Sequence, residues 1–115
     1  MGKPTGEELE LLHHELCSAL SDTTRIAILY ELVDAPRHVG EIVEAMGLPQ
    51  GTVSRHLKML RERGIVRAQR EGNRVLYELA ETRGIEILSL MREILWDNLE
   101  RRRAAAERIR PGRAG

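Results

Sequence analysis

Residues 39–79 read VGEIVEAMGLPQGTVSRHLKMLRERGIVRAQREGNRVLYEL, and the hydrophobic period changes within them. Val39, Ile42, Val43 and Met46 stand at i, i+3, i+4 and i+7, which predicts a short helix over 39–46 stopped by Gly47. Leu48-Pro49-Gln50 is a tight turn, and Pro49 suits the first turn of a new helix because its missing N–H has no helical partner to lose. Val53, Leu57 and Leu60 mark the buried stripe of a helix over 50–63, ended by Gly64. Its other face carries Thr52, Ser54, Arg55, His56 and Lys58. After Gly64 the period falls to two. Residues 65–70 and 74–79 read as short strands joined by Glu71-Gly72-Asn73.

The flanks add three helices. Leu9, Leu12, Leu16 and Leu20 predict an amphipathic helix over about 7–20, after a flexible lead at 1–6. Ser21-Asp22 offers cap chemistry before Ile26, Leu29 and Val33, placing a helix over 22–34 that Pro36 ends. Ile85, Leu88, Met91, Leu95 and Leu99 recur at steps of three and four, so 83–108 reads as one long helix, with a frayed tail at 109–115. The expected fold is mainly α with a small β-hairpin wing. It is a winged helix-turn-helix with five helices, in one DNA-binding and dimerisation domain over 7–108. Two short helices joined by a tight turn, the second polar and basic, form the layout that places a recognition helix in the major groove. The last helix carries Ile87, Leu88, Met91, Ile94, Leu95 and Trp96 on more than one face. A second copy of the chain is expected to cover the surplus.

Composition sets the bounds. The chain has 115 residues, 42% hydrophobic and 31% charged, with 3% aromatic and no Phe, so the core must be aliphatic. No apolar run approaches the ~20 residues of a membrane helix and no secretory leader opens the chain, so a cytoplasmic setting without a membrane partner is expected. Cys17 is the only cysteine, which excludes an intramolecular disulfide and a zinc finger. The net charge of zero is an average over unlike regions. Residues 1–49 carry three bases against nine acids, whereas 50–80 carry seven bases (Arg55, Lys58, Arg61, Arg63, Arg67, Arg70, Arg74) against three acids. A basic segment inside a neutral chain suits a phosphate footprint, although a solvated basic face has the same signature.

ALSDTTRIAIL (19–29) and the 39–79 stretch closely resemble the ArsR/SmtB family of winged-helix repressors, a resemblance that runs from about residue 9 to 106. It implies a homodimer whose first and last helices pair across a two-fold axis. It also implies two recognition helices on a palindromic operator in double-stranded DNA, and an effector that lowers DNA affinity. Carried over by position, Gln50, Thr52 and Ser54 meet phosphates or base edges near the start of the fourth helix. Arg55 and His56 reach bases, Lys58 meets a phosphate, and Arg70, Asn73 and Arg74 follow the backbone or minor groove. The chain departs from the family pattern at Pro49 and Gly51, where many members carry Ser.

The family's usual metal positions hold other residues. Val39-Gly40-Glu41-Ile42-Val43 stands where one site needs a Cys-x-Cys-like pair. His38 lies where some redox-sensing members carry Cys. Residues 83–110 contain neither His nor Cys, so Glu93, Asp97 and Glu100 read as solvated charges. No metal site and no cofactor are expected. One cluster remains: His13, His14 and Cys17 fall at i, i+3 and i+4 spacings in the first helix. They could form an effector site, shared with a second protomer or built on thiol chemistry at Cys17, or be an ordinary packing cysteine beside exposed histidines. The effector is not legible. The expected function is a dimeric transcriptional regulator that represses by occupying a promoter. The alternative is a winged-helix dimer serving protein–protein interaction, against which the basic face (Arg55, Lys58, Arg61, Arg67, Arg70) speaks. No nucleophile triad, phosphate loop or carboxylate pair suggests an enzyme.

Overall fold

The computed structural model describes residues 2–112, so Met1 of the expected lead and residues 113–115 of the expected tail lie outside the described residues. The chain divides into two units, one ending at Thr82 and the other beginning at Arg83. The first unit contains α1 (Gly6–Leu12), a π-helical turn (His13–Cys17), α2 (Thr23–Glu31), β1 (Arg37–His38), α3 (Val39–Met46), α4 (Gln50–Glu62), β2 (Val66–Glu71) and β3 (Arg74–Leu79). The second is α5 (Arg83–Ile109).

The first helix is shorter than the leucine spacing predicts. Thr5 caps α1 by accepting from the Glu8 N–H at 3.1 Å. The α-helical pattern ends at Leu12, and the Ser18 N–H reaches the His13 carbonyl at 2.8 Å, five residues back. Serine hydroxyls then compete for the carbonyls: Ser18 Oγ donates to His14 O at 2.6 Å and Ser21 Oγ to Ser18 O at 2.7 Å. The helix expected over 7–20 therefore loosens into a π turn and stops before Asp22. Asp22 starts α2, its carboxylate accepting from the Arg25 N–H at 3.1 Å. α2 ends at Glu31, short of the expected 34, where Leu32 N–H turns back to Leu29 O. Its inward positions are Ile28 and Leu29, followed by Leu32, while Val33, expected inside, is 44% exposed.

α3 and α4 lie where the sequence places them. Ile42 in α3 and Val53, Leu57 and Leu60 in α4 are fully buried. Each such side chain contributes about 1.5–3 kcal/mol relative to exposure. The end of α4 is fixed by Gly64, whose φ of +75° suits glycine. Gly64 N–H bonds to Arg61 O at 3.0 Å and Ile65 N–H to Leu60 O at 2.9 Å. This pairing is a Schellman motif, and it turns the buried Ile65 and Val66 straight into the wing.

The wing is an antiparallel pair, β2 against β3, with Glu71 opposite Arg74 and Val66 opposite Leu79. Only Gly72 in the connecting Gly72-Asn73 loop has positive φ, the pattern of a type II′ hairpin. A third strand, which no sequence period predicts, joins this pair. β1 pairs with β3, Arg37 opposite Tyr77 and His38 opposite Leu76, giving the order β1-β3-β2. Two residues are too few for a period-two signal. Only the pairing reveals this strand.

α5 runs unbroken for 27 residues and has one buried residue, Leu88. Ile87, Leu90, Met91, Ile94, Leu95, Trp96 and Leu99 are all exposed. Among the described residues, no helix is long and apolar enough to cross a membrane.

Candidate nucleic-acid interface

With Val53, Leu57 and Leu60 turned inward, the rest of α4 is fixed by helical geometry. Gln50, Arg55 and Lys58 are exposed, and Thr52, Ser54 and His56 are half-buried. Pro49 is the N-cap and gives no side-chain hydrogen bond, so no hydroxyl closes the start of this helix. Arg55 folds back over that first turn. Its Nη2 donates to Thr52 Oγ1 at 3.4 Å, and Nη1 lies 3.8 Å from where a Cβ on residue 51 would sit. A methyl group at 51 would therefore only touch the guanidinium at ordinary van der Waals distance.

His56 has a more constrained position than the sequence suggests. Arg25 Nη1 donates to its Nδ1 at 3.2 Å, so the hydrogen of the neutral ring sits on Nε2. The same guanidinium donates to Ala19 O at 2.9 Å and to Ser18 O at 3.0 Å. Asp22 completes the group. The Arg25 backbone N–H holds its carboxyl below the usual carboxylate range, helped by the Arg25 charge. Periodicity could not have found Arg25, which sits 31 residues from His56.

On the wing, Arg70, Asn73 and Arg74 are exposed, as the sequence implies. Arg70 Nε donates to Gly72 O at 3.2 Å, which curls the side chain over the hairpin tip. Arg67, directly opposite Glu78, donates to it at 2.7 Å, so its charge is spent within the wing. Arg74 Nη2 donates to His38 Nδ1 at 2.9 Å. A cavity of about 320 Å³ opens here, lined by His38, Gln50, Asn73 and Arg74 among others. It therefore touches α3, α4 and the wing at once.

Within the single chain, the histidines and cysteine of the N-terminal segment do not converge on one point. Cys17 is a free, exposed thiol. His14 Nε2 faces Arg63 Nη2 at 3.4 Å, and Arg63 Nη1 lies 3.4 Å from Glu15. Among the described residues no three His, Cys, Asp or Glu side chains converge as metal ligands. What the geometry does show is a link. Arg63, the C-cap of α4, binds the π turn, and Arg25 joins the end of that turn to His56.

A basic face on a helix-turn-helix beside a wing is the geometry of a DNA reader, and comparison with known proteins agrees. Residues 22–68 match the model of the bacterial regulatory protein arsR family. The chain is 36% identical over 107 residues to the HTH-type transcriptional regulator Rv0081 of Mycobacterium tuberculosis, covering 92% of this chain and 94% of that protein. The crystal structure of Rv0081 superposes with a TM-score of 0.73 at 34% identity, covering 88% of this chain and 98% of that one. The HTH-type transcriptional repressor SmtB of the same species is 46% identical over 67 residues, which is 58% of this chain and only 50% of the repressor's length. A homodimeric winged helix-turn-helix DNA-binding domain from Mycobacterium bovis superposes with a TM-score of 0.71 at 29% identity, covering 88% of this chain and 95% of that one. The chain belongs to the ArsR/SmtB family: it is a winged helix-turn-helix DNA-binding transcriptional regulator and not an enzyme.

Proposed function

We propose that the chain is a cytoplasmic repressor that occupies a palindromic operator as a homodimer and leaves it when an effector binds. The observation that carries this reading is the division of α4: three aliphatic side chains are fully buried while Gln50, Arg55 and Lys58 stand exposed on the same helix. Arg55, free of any acidic partner among the described hydrogen bonds and ion pairs, reads a base edge, guanine O6/N7 being its best match. Gln50, Thr52, Ser54, Lys58, Arg70, Asn73 and Arg74 hold phosphates or sugar edges and set the register. His56, with Nδ1 occupied by Arg25, offers DNA only its Nε2 hydrogen.

Dimerisation uses α1 and α5, where Leu9, Leu11, Leu12, Ile87, Leu90, Ile94 and Leu95 lie exposed in the single chain. A two-fold pair of recognition helices then sits one helical turn apart on DNA. The effector acts on the His13–Cys17 turn, with His13, His14 and Cys17 as its contact residues. That turn is joined to both the middle and the end of α4 through Arg25 and Arg63. Protein–protein bridging alone does not account for the basic side chains left open on α4.

The test is fluorescence anisotropy of the duplex upstream of the chain's own gene, titrated with reduced protein in chelator beside a scrambled duplex at two salt concentrations. Preference for the native duplex, with binding that weakens steeply as salt rises, is the expected result. Equal, weak binding to both duplexes overturns the operator reading.

A further inference from the structure

His38 stands at the junction of β1 and α3, with its side chain only 19% exposed. Charged groups from every neighbouring element face it. Glu41 comes from α3, Glu71 from β2 and Arg74 from β3, while Arg37 of β1 stands behind Glu41 at 4.0 Å. His38 Nε2 lies 2.8 Å from Glu71 Oε1. A carboxylate only accepts, so Nε2 carries a hydrogen. Nδ1 lies 3.1 Å from Glu41 Oε1 and 2.9 Å from Arg74 Nη2.

These last two contacts make opposite demands. Arg74 only donates and needs the bare lone pair of Nδ1, whereas Glu41 only accepts and needs a hydrogen there. One nitrogen cannot satisfy both, so the cluster has two arrangements. The neutral ring donates to Glu71 and accepts from Arg74. The imidazolium donates to Glu71 and Glu41, and its new N–H turns the Arg74 guanidinium away. Glu41 is ready for this exchange. Its carboxyl is held below the usual carboxylate range, first by the His38 backbone N–H, and stays ionised where a histidine titrates. The adjoining cavity of about 320 Å³ gives Arg74 room to move and is bordered by Gln50 and Asn73.

We infer that His38 is a proton-controlled tether for Arg74, which holds the guanidinium against the β1–α3 junction when neutral and frees it for a DNA backbone phosphate when protonated. The inference rests on Arg74 being a DNA contact, and it adds regulation to that contact. The proton comes from solvent, and only the Nδ1–H bond and hydrogen bonds change. Acidification thus strengthens DNA binding through this site, where a mere loss of structure would weaken it.

The test has two readouts on the full chain. In the free protein, ¹⁵N spectra of the histidine rings at pH 8 show His38 as the Nε2–H tautomer, and at pH 5.5 as the doubly protonated ring. With the upstream duplex, the slope of log affinity against log salt steepens between pH 8 and pH 5.5, by about 0.9 for each additional phosphate engaged. His38→Gln cannot take the proton and loses this step, leaving only what His13, His14 and His56 contribute. Arg74→Gln, an exposed change that leaves His38 in place, loses it too. An Nδ1–H tautomer at pH 8, or a step of full size in His38→Gln, overturns the tether while DNA binding stands. Absence of preferential binding to the duplex at either pH overturns the DNA reading and the tether with it.

Discussion

α4 and α5 both carry aliphatic side chains at helical spacing, yet they treat them in opposite ways. In α4, Val53, Leu57 and Leu60 are fully buried. In α5, Leu90 is 60% exposed, Ile94 59%, Leu95 51% and Trp96 63%. The difference separates two jobs. α4 is part of a core completed within one chain, so its polar face is held rigid. α5 leaves a row of apolar side chains exposed in the single chain, the kind of surface that a partner covers.

The sharpest way to break this contrast is to charge α5. Ile94→Glu combined with Leu95→Glu is expected to give a monomer in sedimentation that keeps its helical circular dichroism. It should lose about 10²–10⁴-fold in operator affinity in anisotropy, because the second half-site is no longer linked. Charging the surface without changing the oligomeric state would remove α5 from the interface.

Deleting buried volume from α4 tests the other side. Leu57→Ala is expected to cost about 2–5 kcal/mol in urea unfolding, with the dimer still present where the protein remains folded. An exposed counterpart, Leu90→Ala, should change unfolding mainly at low protein concentration, where the dimer dissociates.

On the polar face, Arg55→Gln should cost about 1–3 kcal/mol of discrimination at one base pair of each half-site, measured by competition with substituted duplexes. Uniform weakening on all duplexes would make Arg55 a phosphate contact instead.

The smallest effect concerns how α2 is started. Asp22→Ala removes an N-cap and should cost about 1 kcal/mol in thermal or urea unfolding. Because folding lowers the Asp22 pKa, its contribution is complete above the unfolded carboxylate range and is lost as pH falls through the folded value. The stability gap between Asp22→Ala and the parent should therefore narrow in acid.

The same contrast explains how much could be read from residues alone. α3, α4 and the hairpin were legible because burial against one core imposes strict periods, with glycines at their ends: Ile42, Val53, Leu57 and Leu60, then Gly47, Gly64 and Gly72. α1 was legible only in part. Its leucines kept helical spacing through Leu20, but Leu9, Leu12 and Leu16 are exposed and no core enforces the period. The backbone was free to form the π turn that serine hydroxyls favour. β1 was missed because pairing with Tyr77 and Leu76, not local pattern, makes it a strand. On the candidate interface, the exposure of Arg55, Lys58 and Arg74 follows from position in the motif. The contacts that hold His56 and Arg74 do not, because Arg25 to His56 and Arg74 to His38 join residues 31 and 36 apart.

Hydroxyl-radical footprinting of the upstream duplex tests the central claim most directly, since its pattern depends on both the role proposed for α4 and the role proposed for α5. A dimer with two recognition helices predicts two equal protected patches on one face of the duplex, about 10–10.5 base pairs apart or a multiple of that. A single patch, or uniform protection along the duplex, would contradict it.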